Sequence, residues 1–146
     1  MSDTQPTRAD YRYFQPITTR WMDNDLYGHV NNVTYYSYFD TVANHFLIHE
    51  GGLDIVNAPV IGVVVSSSCQ YRKSVAYPQR LDAGLRTDRL GNSSVTYGIA
   101  IFAEGEEEVS AFGQFVHVFV DRESNKPVAI PVRIRQALEQ IAVSAR

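Results

Sequence analysis

Cysteine is nearly missing from this chain. Cys69 is the only one among 146 residues, so no internal disulfide can form, and a reducing compartment suits it. Long hydrophobic runs are missing too: a run such as Val60 to Val65 falls far short of the roughly 20 apolar residues that a bilayer-spanning helix needs. The opening residues, MSDTQPTRAD, carry neither a basic stretch nor an apolar one, so no secretory signal is visible. Charge of one sign is scarce as well. A net charge of -3 provides no global field to attract nucleic acid or an anionic membrane. Internal repeats and low-complexity tracts are absent. No group of His, Cys and carboxylates has metal-ligand spacing beyond His45 and His49, and that pair lacks a neighbouring ligand cluster, so it reads as one face of a helix. These absences point to a cytoplasmic protein with no metal, no cofactor, no nucleic-acid partner and no membrane insertion.

What is present is an ordinary globular composition, 45% hydrophobic and 20% charged, on a chain long enough for one core. Residues 1–10 read as a disordered lead-in and residues 11–146 as a single domain. Tyr11 to Trp21 alternates as a first strand, and Pro16, lacking an N–H, favours an edge position. A polar loop, Asp-Asn-Asp-Leu-Tyr-Gly, follows. Asn31 or Asn32 is placed to cap a helix that Gly51-Gly52 ends. Within that helix Tyr35, Tyr36, Phe39, Val42, Ala43, Phe46 and Leu47 do not fit one narrow stripe, which predicts burial on several sides.

From Val60 onward the chain turns to β structure. Strands are expected over Val60 to Arg72, Arg80 to Leu90, Ser94 to Ala103 and Val109 to Asp121. Gly91-Asn92 marks a hairpin, and the last strand, apolar on both faces, reads as central. His117 within it reads as a satisfied core histidine. Pro131 opens a short helix with Ile134, Ala137, Leu138 and Ile141 on its buried stripe. Tight turns between consecutive strands require antiparallel pairing. The expected class is α+β, a curved antiparallel sheet wrapped around a long central helix, with a short C-terminal helix. Such a sheet leaves edges, and covering one with a second copy predicts a homodimer.

The segment Asp23 to Tyr36, DNDLYGHVNNVTYY, resembles the signature of the 4-hydroxybenzoyl-CoA thioesterase family of hotdog-fold proteins: an aspartate, three residues to a glycine, then the start of the central helix. Tyr71-Arg72-Lys73 and Leu90 to Val95 are similar to the family's later strands. The resemblance implies hydrolysis of an acyl-CoA thioester without a cofactor, in a homodimer or a tetramer of two dimers with substrate at the subunit interface. It places the catalytic aspartate at Asp25 and the carbonyl-polarising backbone N–H at Asn32. Asp23, Gly28, His29, Asn31 and Tyr35 fall around them as substrate-binding positions, and Arg72, Lys73 and Arg89 are candidates for the CoA phosphates. The family's founding enzyme has apolar and aromatic residues where this chain has His29 and two asparagines; many acyl-CoA thioesterases of the type share the His-Val-Asn-Asn version. The chemistry suits these residue types. A helix start offers unpaired N–H groups to an oxyanion, and a carboxylate can attack a thioester or deprotonate water. Two other activities fit the same fold: non-catalytic acyl-CoA binding, and a hydratase or dehydratase using Asp25 with His29.

Overall fold

The computed structural model describes residues 5–143. Five strands, β1 (Tyr13–Thr18), β2 (Val60–Tyr71), β3 (Arg80–Leu90), β4 (Ser94–Ala103) and β5 (Val109–Asp121), and two helices, α1 (Thr34–His49) and α2 (Val132–Gln140), make up the regular structure. The strands form one antiparallel sheet in the order β1-β3-β4-β5-β2. β1, with its proline, is an edge strand, and β5 lies in the interior between β4 and β2.

Alternation sets the two faces. On β4, Val95, Tyr97, Ile99 and Ile101 are fully buried and belong to the main core with α1, while Ala100 and Phe102 point to the other face. There a second, small cluster forms with Tyr11 and Val109. His117 on β5 belongs to the buried set, its Nδ1 3.1 Å from the Tyr97 hydroxyl. Ile134, Ala137, Leu138 and Ile141 are buried at the C-terminal end.

Four expectations change. The strand expected over Tyr11 to Trp21 is only Tyr13–Thr18, because Thr19 turns inward to donate to the Gln79 carbonyl and Trp21–Asp23 is a 3-10 turn. Trp21, expected on the inner side, is 76% exposed. The expected lead-in over 1–10 also divides: residues 1–4 lie outside the described residues, whereas Arg8–Asp10 is a 3-10 turn. Its Arg8 is tied to the sheet by the carbonyls of Glu106 and Ala103 and the carboxylate of Asp82.

The third change concerns α1. Its buried residues, Tyr35, Tyr38, Phe39, Val42, Ala43, Phe46 and Leu47, follow i, i+3, i+4 spacing and make one stripe. Ser37, Asp40, Thr41 and Ile48 face out. Tyr38 joins Tyr35 on the inward side in place of Tyr36, and its hydroxyl finds the buried Asp23 carboxylate 2.8 Å away. Fourth, the regular helix starts only at Thr34, with Val33 before it in helical conformation, and the Asn31 side-chain oxygen caps the preceding turn by accepting the Val33 N–H. At its other end Glu50 is the C-cap residue, and Gly52 takes the positive φ of 69° that a side chain would resist.

Candidate active site

The site is built on Asp23. Its carboxylate closes the 3-10 turn by accepting the Arg20 backbone N–H at 2.9 Å, and it also accepts the Arg20 guanidinium and the Tyr38 hydroxyl. The residue is 2% exposed. Burial alone would raise its pKa, but these hydrogen bonds and the Arg20 charge outweigh that and hold the carboxyl below its ordinary range. Asp23 is therefore consumed internally. It braces the loop and is not on a cavity wall.

From this anchor the chain makes a small closed loop. The Asp25 N–H donates to the His29 carbonyl, and the Gly28 N–H donates back to the Asp25 carbonyl. Gly28 takes φ 81°, a conformation open to glycine at little cost, and this allows the loop to fold back. Val30, buried, donates its N–H to Val75, and the Asn24 side chain accepts the Tyr77 N–H, so the loop is pinned to the segment after β2. Asp25 is half-buried at the head of this loop. Its Oδ1 accepts the Tyr27 N–H at 2.9 Å; among the described residues its other oxygen accepts no hydrogen bond.

The helix start faces the same space. The Asn31 N–H donates to the Asp23 carbonyl, its side-chain oxygen accepts the Val33 N–H at 2.9 Å, and its carbonyl accepts the Thr34 N–H. The Asn31 backbone and side-chain oxygen are thus employed in shaping the turn. Among the described residues, the next N–H, that of Asn32, donates no hydrogen bond within the chain. An unpartnered N–H at the positive end of a helix is an anion-seeking group.

A cavity of about 360 Å³ opens here, lined by Asp25, Tyr27, His29, Val30, Asn32, Tyr35, Tyr71, Arg72, Lys73 and Ser74. The structure brings together Asp25, His29, Asn32, Tyr35, Arg72 and Lys73 from the expected set. Asp23, Gly28 and Asn31 shape the loop behind it, and Arg89, exposed on β3 opposite Thr96, is not part of the lining. Lys73 is engaged as well, its Nζ 2.6 Å from Glu106 and 3.3 Å from Glu108. Arg72 donates to the Gln70 side chain and lies over the Phe112 ring. Tyr35, buried, has its hydroxyl pushed up to about 12 by desolvation, so it stays protonated.

Sequence reasoning missed Tyr71, Tyr27, Val30 and Ser74 as lining residues. Tyr71 sits on a strand that is otherwise valine and serine at its outer edge, so only pairing and position reveal that its ring meets Tyr35, centroids 5.3 Å apart. His45 and His49 stack at 4.1 Å, with the Tyr13 hydroxyl on His45, and no group of three or more metal-ligating side chains occurs among the described residues.

Fold and cavity define a class: an α+β protein that sets a carboxylate and a free helix-start N–H around one hollow. The family model described as the thioesterase superfamily matches residues 27–110, and the chain belongs to that superfamily and has its hotdog fold. The match begins at Tyr27, two residues past Asp25. Among solved structures, the PA5185 protein from Pseudomonas aeruginosa strain PAO1 is 60% identical with a TM-score of 0.94, over 97% of this chain and 99% of that one. The uncharacterized protein YsmA of Bacillus subtilis (strain 168) is 29% identical over 126 residues, 86% of this chain and 84% of that protein. The long-chain acyl-CoA thioesterase FadM of Escherichia coli (strain K12) is 26% identical over 126 residues, 86% of this chain and 96% of that protein. No helix among the described residues is long and apolar enough to cross a membrane.

Proposed function

We propose that the protein is an acyl-CoA thioesterase of the 4-hydroxybenzoyl-CoA thioesterase type, converting an acyl-CoA and water to a free acid and CoA. One observation carries the reading: Asp25 and the unpartnered Asn32 N–H share the wall of a single cavity at the start of α1. The thioester carbonyl oxygen would sit against the Asn32 N–H, which strengthens its hold as negative charge gathers there. Asp25 then supplies the second half of the reaction. It either attacks the carbonyl carbon, expelling CoA thiolate and leaving an anhydride for water to open, or takes a proton from the attacking water. Single turnover in ¹⁸O-water separates these routes: water that opens the anhydride at the Asp25 carbonyl leaves its oxygen on Asp25 and none in the acid, whereas water deprotonated by Asp25 delivers its oxygen to the acid. His29, at the cavity rim, and Arg72, which makes no ion pair among the described residues, are further polar contacts for the substrate.

FadM's name gives its substrate as long-chain acyl-CoA, and the similarity to it favours an aliphatic acyl group here. A homodimer follows from β2. This edge strand of 12 residues holds neither a charge nor a proline, two of the devices that blunt edges, though a bulge falls between Val64 and Ser66, and it exposes Val64 at 45% and Val65 at 57%. Pairing two β2 strands across a two-fold axis would extend the sheet and curve it around both helices. A cytoplasmic location fits the single cysteine.

The test is Asp25→Ala, shown to be folded and in the wild-type assembly state, assayed on acyl-CoAs from acetyl to palmitoyl and on benzoyl-CoA. Turnover should fall by about 10²-fold or more. Wild-type turnover in that variant would end the assignment.

A further inference from the structure

The cavity wall contains one side chain that reaches the helix-start turn from elsewhere in the chain. Tyr71, the last residue of β2, donates its hydroxyl to the Asn32 carbonyl at 3.2 Å across 39 positions of sequence. The turn's other bonds are mostly its own. Thr34 N–H goes to the Asn31 carbonyl, Val33 N–H to the Asn31 side chain, and Tyr35 N–H makes a long 3.3 Å contact to the same Asn32 carbonyl. Among the described residues, the external ties at Asn31 and Asn32 are two: Asn31 N–H to the Asp23 carbonyl on one side and the Tyr71 hydroxyl on the other. Between them lies the peptide that carries the unpartnered Asn32 N–H. Without Tyr71 the only tie left on the Asn32 carbonyl, among the described residues, is the long one from the Tyr35 N–H within the turn, and the Asn32 peptide loses its anchor to the sheet.

We propose that Tyr71 is a positioning residue for thioester hydrolysis: it clamps the Asn32 carbonyl to the edge of the sheet and so fixes the direction in which the Asn32 N–H meets the substrate oxygen. The inference rests on the thioesterase reading for its consequence in turnover, and on geometry alone for the clamp. Tyr71 is 40% exposed and its ring packs edge-on to Tyr35, so removing only the hydroxyl leaves the packing in place. A donor preorganised toward a developing oxyanion acts mainly in the transition state, so its misalignment lowers kcat more than it raises KM.

Tyr71→Phe is the experiment, with two readouts. In the assay, kcat should fall about tenfold while KM stays within twofold and thermal stability is unchanged. The loss should be equal across pH 6 to 9, because a donor that does not titrate there removes no limb from the profile. Hydrogen exchange at residues 31–35, which needs no substrate, should quicken several-fold. Unchanged kcat, a loss confined to KM, or a missing pH limb would overturn the proposal. If the wild-type protein hydrolyses no acyl-CoA, the thioesterase reading fails by itself. The clamp is then judged by exchange alone, and unchanged protection in Tyr71→Phe would overturn it.

Discussion

Two aspartates two residues apart illustrate how environment assigns roles. Asp23 is buried and saturated by Arg20 and Tyr38, while Asp25 keeps one oxygen without a partner at the cavity. Asp23→Asn should therefore cost about 2 kcal/mol in urea unfolding, because it weakens several hydrogen bonds inside the protein. Asp25→Asn should stay within about 0.5 kcal/mol of wild type and yet lose turnover. Similar stability losses in the two variants would contradict this division. His117 sets a pH dependence of another kind. Burial pushes it down to about 4, below the ordinary value of 6.5. As the pH falls, the unfolded chain takes up the proton first. The associated stability, about 3 kcal/mol at most, is complete above pH 6.5, declines toward pH 4 and is gone below it. His117→Gln should flatten unfolding free energy across that window; a wild-type slope in the variant would show that another group is responsible.

Among the elements, α1 and β2 matter most. The stripe on α1 pairs large side chains with the sheet, and Phe39, fully buried, meets Phe115 edge-on at 6.3 Å between ring centroids. Phe39→Ala should destabilise by about 3–5 kcal/mol, measured by chemical denaturation. The two sheet edges are treated differently. β1 contains Pro16 and has β3 on one side, whereas β2 contains no proline and departs from regular pairing at a bulge between Val64 and Ser66. Val65→Lys on β2 should shift the protein to monomers in sedimentation velocity, since a charge on an edge strand opposes pairing. An unaltered dimer would place the interface elsewhere. These elements were legible in sequence to different degrees. The alternation of Leu81, Ala83, Leu85 and Thr87 gave β3 its correct buried face. Tyr35 was legible as an inward residue of α1 but Tyr38 was not, because choosing Tyr38 over Tyr36 depends on the Asp23 carboxylate, which the fold delivers.

For the molecule as a whole, the N-terminal segment closes the face of the sheet opposite α1. Arg8 lies 4.8 Å over the Phe102 ring while bonding two backbone carbonyls and Asp82, and Tyr11 fills the cluster beside it. Arg8→Ala should cost about 2 kcal/mol of unfolding free energy through lost hydrogen bonds and the cation–ring contact. An unchanged melting temperature would mean that the segment merely rests on the sheet. A composition rule reads residues 1–10 as a polar lead-in and does not register this anchor, since Arg8 finds its partners at residues 82, 102, 103 and 106, far away in sequence.

By itself the sequence determined the kinds of element and their order, because alternation and helical spacing are local patterns, and it singled out the aspartate loop before the helix. Tertiary structure alone decided which groups in that loop are spent and which are left over. Asp23 is saturated, and the Asn31 backbone and side-chain oxygen are occupied, only because Arg20, Tyr38 and the backbone converge on them, and Lys73 is occupied only because the β4–β5 turn carries Glu106 and Glu108 to it. Hydrogen-bond saturation is a property of three-dimensional neighbours, and no spacing along the chain encodes it.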